Sequence, residues 1–78
     1  MAYKEDLRII RTRKLLSNTL IEMMEKNSLE KISVIDLCNN AMVNRATFYA
    51  HFEDKYHLLA FAFEELKDEI YAITRHSH

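Results

Sequence analysis

The 78-residue chain holds one domain at most, and a domain this short buries only about 60% of the surface its unfolded chain exposes. Hydrophobic residues make up 49% and charged residues 29%, which excludes global disorder, while the lack of glycine and proline removes the two strongest helix interrupters. The net charge of −1 hides an asymmetry: residues 1 to 14 carry five basic against two acidic side chains, net +3, leaving −4 for the remainder. A basic start suits a polyanionic partner, whereas the acidic remainder reads equally as a solvated face.

From about Leu7 to Lys26, Ile9, Leu16, Leu20 and Met23 recur near helical spacing, with Leu15 and Met24 widening the stripe; a first helix is predicted there. Asn27 and Ser28 supply a stop, because asparagine tolerates left-handed backbone, and residues 27 to 32 form the connection. Ser33 is placed to cap a second helix, with Asp36 three positions on in a capping-box arrangement. Val34, Leu37, Cys38 and Ala41 then follow the i, i+3, i+4, i+7 rule, giving one buried face and an end near Asn40. Cys38 is the sole cysteine, so no internal disulfide is possible, and its apolar neighbours mark it as a buried, inert thiol.

Ala41 to Val43 make a turn, Asn44 caps a third helix from Arg45 to Phe52, and Asp54 caps a long fourth helix. On that last helix Leu59, Ala62, Phe63, Leu66, Ile70 and Ile73 form one stripe, with Phe61 and Tyr71 off it and exposed. A three-helix core cannot cover a helix of this length, so part of it is expected to pack on something outside these residues. The fold class that follows is all-α: a three-helix helix-turn-helix (homeodomain-like) bundle plus a long fourth helix. No apolar run reaches the roughly 18 residues a membrane span needs, so a cytoplasmic protein without a membrane partner is expected.

The third helix carries the chemistry. Phe48 and Phe52 point to one side at about 100° per residue, and Ala46, Thr47 and Ala50 occupy roughly the opposite arc. Small outward residues let a helix approach base edges, where an alanine or threonine methyl touches a thymine methyl and a threonine hydroxyl makes a hydrogen bond. Tyr49 and His51 flank that arc, each suited to a phosphate wall of a groove, and Arg45 is long enough to reach a guanine edge. Lys55, Ser33 and Asn44 sit at helix starts, where free N–H groups suit phosphate, while Arg8, Arg11 and Arg13 are placed to act as a basic arm. The partner implied is double-stranded DNA.

Other chemistries find less support. His51 and His57 stand six residues apart across a helix boundary, and His76 and His78 fall in the tail, so neither a metal nor another cofactor is expected. There is no phosphate-cradling glycine loop and no nucleophile-base constellation, which points away from an enzyme. The competing reading is a helical protein-interaction module that uses the exposed face of the fourth helix.

The stretch NRATFYAHFEDKYHLL, Asn44 to Leu59, resembles the TetR/AcrR family of bacterial transcriptional regulators, and the resemblance extends over about residues 8 to 65. It implies that the third helix enters the major groove and that Arg45, Thr47, Tyr49, His51 and Lys55 contact DNA. It further implies a homodimer on a (pseudo)palindromic operator, repression, and a small-molecule effector bound in a helical domain downstream. Residues 1–55 would then form the DNA-binding domain with its basic N-terminal arm, and 56–78 the helix leading to that downstream domain. Met42 departs from the resemblance, since the family usually places glycine in this turn; a positive φ there would strain methionine by about 1 kcal/mol.

Overall fold

A computed structural model describes residues 2–76, with side chains placed for residues 7–74. Four α-helices follow one another: α1 (Ala2–Met24), α2 (Val34–Ala41), α3 (Arg45–His51) and α4 (Lys55–His76), with a single 3-10 turn at Leu29–Lys31 between the first two. The all-α helix-turn-helix expectation therefore holds. Helix α1 packs against α2 and α4, and α3 packs against α2.

Local chemistry sets the boundaries. Ser33 Oγ accepts from the Asp36 N–H at 3.0 Å, Asn44 Oδ1 from the Ala46 N–H at 2.7 Å, and Asp54 Oδ1 from the His57 N–H at 2.8 Å. Each satisfies an amide that a helix start leaves without a backbone partner. Helix α2 ends in a Schellman arrangement, in which the Val43 N–H bonds the Cys38 carbonyl at 2.9 Å and the Met42 N–H bonds that of Asn39 at 3.3 Å. This closure needs a left-handed residue, and Met42 supplies it at φ 58°, ψ 43°.

The core joins all four helices through Leu16 and Leu20, Leu37, Cys38 and Ala41, Phe48 and Phe52, and Leu58, with Ile32 arriving from the connection. Ser17 and Thr19 are buried on α1 and return their hydroxyls to the Lys14 and Leu15 carbonyls, so neither leaves an unpaired polar group inside. Small Ser17 shares the cleft between α1 and α4 with Ala62, which lets the two helices approach.

Two expectations require correction. Helix α1 begins five residues before the expected start at Leu7, so Arg8, Arg11 and Arg13 lie inside the helix and not at its first turns. On α4 the buried positions are Leu58 and Ala62, with Leu59 and Phe61 half-buried, while Phe63, Leu66 and Ile70 of the expected stripe are exposed. The buried positions of α4 fall in its first two turns, where the Phe52 and Phe61 ring centroids lie 5.6 Å apart, and beyond them Glu65, Leu66 and Glu69 border a cleft against α1. Phe61 thus belongs to the packed side, and the core extends past the expected 55/56 division.

Candidate nucleic-acid interface

The interface is built on Phe48 and Phe52, which are buried and fix the rotation of α3. With that face turned inward, Arg45, Ala46, Thr47, Tyr49 and Ala50 are all exposed, and His51 is half-buried at the edge. The outward arc of small residues expected from the sequence is therefore present. At seven residues α3 is only about 10 Å long, which matches the roughly 12 Å width of a major groove.

Tyr49 keeps its ring edge-on to Phe48, with centroids 5.1 Å apart, and remains half-exposed. The ring contact holds one side of Tyr49 against the core while half of the residue stays open to solvent, an arrangement suited to a positioning hydrogen bond. Arg45 is exposed in the first turn, and its guanidinium acts on Cys38. Burial pushes the Cys38 thiol up, and Arg45 offsets this in part, which leaves a protonated, buried sulfur.

Helix α1 supplies the flank that the sequence assigned to an arm. Arg8, Ile9 and Thr12 line a shallow groove of about 280 Å³ together with Thr47 and His51 of α3. Beside it the Arg13 Nε–H donates to His51 Nδ1 at 3.4 Å. Burial, and secondly the Arg13 charge, hold His51 below the usual histidine value, so the ring is neutral at neutral pH. Arg11 is exposed on α1.

Lys55 is not directed outward. Its ammonium donates to the carbonyls of Leu29 at 2.7 Å, Ile32 at 2.8 Å and Glu30 at 3.4 Å, and so ties the start of α4 to the 3-10 turn. All three N–H groups are occupied, so the side chain acts as an internal clamp. His57 is likewise structural: its Nδ1 accepts from the Glu53 N–H, and its ring meets Phe52 edge-on. The His76 side chain and all of His78 lie outside the described residues.

Sequence reasoning missed the Arg13–His51 pair and the Lys55 clamp. Their partners are 38 and up to 26 residues apart, and no local pattern announces such contacts. Thr12 and Ile9 escaped for the same reason.

Helices α2 and α3, joined at Met42, define a helix-turn-helix chain. No protein-family model matches it. It is similar to the HTH-type dhaKLM operon transcriptional activator DhaS of Lactococcus lactis subsp. lactis (strain IL1403), at 34% identity over 53 residues, covering 68% of this chain and 28% of that protein. The chain thus spans less than a third of the length of that relative, whose helix-turn-helix designation agrees with the geometry of α2 and α3. No described helix is long and apolar enough to cross a membrane.

Proposed function

We propose that this chain reads double-stranded DNA, with α3 in the major groove, as the N-terminal part of a TetR-like bacterial transcription regulator. The observation that carries the reading is the outward face of α3: Ala46, Thr47 and Ala50 exposed, Arg45 and Tyr49 beside them, and the basic flank of α1 adjoining His51. Small side chains permit close approach to base edges, while the surrounding donors hold the helix against phosphate. Ser33 and Asn44 are caps first, and their helix starts add neutral donors at the rim. The working form is a homodimer on a (pseudo)palindromic operator in the cytoplasm, with a small-molecule effector bound downstream of α4. Repression is the sign of regulation that the TetR resemblance implies, and activation the sign that the relative's name gives; DNA reading by α3 is compatible with both. No catalytic or cofactor role is assigned.

The test is titration of the chain with duplexes from its native locus and with random DNA over a range of salt. Affinity should fall linearly on a log-log plot against salt, and Arg45→Ala should weaken the preferred duplex by about tenfold to a hundredfold. Tyr49→Phe should weaken all duplexes by a similar factor, because a phosphate contact carries no sequence information. Salt-independent binding, or equal affinity for every duplex in a dimeric form of the protein, would sink the reading.

A second reading rests on α4, where Phe63, Leu66, Ile70 and Tyr71 are exposed on a helix that also bears Glu64, Asp68 and Glu69. That face suits a protein-interaction module, and it can coexist with DNA reading at the other end of the molecule.

A further inference from the structure

We propose that Arg13 is a positioning residue for the DNA interface, orienting the His51 ring and fixing its proton on Nε2 so that the ring offers a neutral N–H to a phosphate. This rests on the DNA-reading role of α3 and goes beyond it, because it gives one arginine of α1 a task other than direct charge.

The guanidinium of arginine only donates, so a contact from Arg13 Nε–H to His51 Nδ1 requires that Nδ1 carry a lone pair. In a neutral imidazole the proton then resides on the other nitrogen. The 3.4 Å separation makes this a long hydrogen bond, but the positive charge acts in the same direction, since it opposes any proton on the near side of the ring. Both side chains are half-buried, which limits the rotamers either can sample.

The ring lies at the end of α3, where His51 lines the open groove with Arg8, Ile9, Thr12 and Thr47, and its centroid is 6.3 Å from that of Phe52. With Nδ1 held by α1, Nε2–H is the remaining polar atom of the ring. Among the described residues, Arg8 on the groove and Arg13 beside it are the charged groups of α1 that face His51, and both favour an approaching anion. The positive charge thus stands one side chain behind the donor, which remains neutral.

Two measurements on the 78-residue chain test this. In the free protein, the ring-nitrogen NMR spectrum of His51 should show the proton on Nε2, Arg13→Met should give exchange between tautomers, and Arg13→Lys should restore the original pattern. Binding is then measured with a short random-sequence duplex at low salt, where sequence-independent contacts dominate. Arg13→Met should weaken wild type by about tenfold but the His51→Gln variant by less than about twofold, since the glutamine amide places a donor near Nε2 without needing a tautomer. A proton on Nδ1, or the same loss in both backgrounds, overturns the inference and makes Arg13 a plain phosphate contact. If the spectrum is as expected but wild type binds no duplex, the DNA reading itself fails. Far-UV circular dichroism of each variant separates these results from unfolding.

Discussion

Replacing Met42 with glycine should stabilise the protein. Met42 sits at φ 58°, ψ 43°, where an L-residue with a Cβ is about 1–2 kcal/mol above its right-handed conformation. Its side chain is 91% exposed, so truncation removes almost no buried contact. Against the relief stands the greater freedom of glycine in the unfolded chain, about 0.4–1 kcal/mol. The net gain is about 0.5–1 kcal/mol, which in a domain of this size raises Tm by roughly 2–8 °C. Thermal and urea unfolding, followed by circular dichroism, measure it directly. Met42→Ala is the control: it keeps the Cβ and the strain, and should stay within about 0.5 kcal/mol of wild type. If alanine stabilises as much as glycine, or if glycine destabilises, strain at the turn is not the reason and the argument is refuted.

Three further outcomes follow from the same contacts. Lys55→Met should cost about 1–3 kcal/mol in urea unfolding, because it strips a charged donor from three carbonyls, yet leave the salt slope of DNA binding unchanged. Asn44→Ala removes the cap on the Ala46 amide and should cost about 1 kcal/mol, measured the same way. His51 is depressed in the folded state, so the unfolded chain binds the extra proton first as pH falls; stability is fully present above about pH 6.5 and declines below it, and His51→Gln should remove that part of the pH profile.

The parts of the fold that the sequence disclosed are those governed by neighbours three or four residues away. Ser33, Asn44 and Asp54 each act on an amide two or three positions on, so residue type and spacing sufficed to place the helix starts. The outward arc of α3 was legible because Phe48 and Phe52 are large, and burying both leaves one rotation for a seven-residue helix. Helix α4 was harder: counting apolar residues chose its longest stripe, whereas burial depends on where neighbours stand, and among the described residues of α4 only Leu58 and Ala62 are fully buried. The basic flank was legible as composition but not as geometry, since nothing in the order of residues shows that Arg13 meets His51 or that Lys55 turns inward.

The proposed function stands on α3 as a reader of bases. Selection from randomised duplexes, with the protein in a dimeric form, tests that most directly. An enriched half-site that changes when Thr47 or Ala50 is replaced, and that loses its preferred guanine with Arg45→Ala, is the expected result. A bound pool as random as the starting library, or an enriched site indifferent to all three positions, would contradict it.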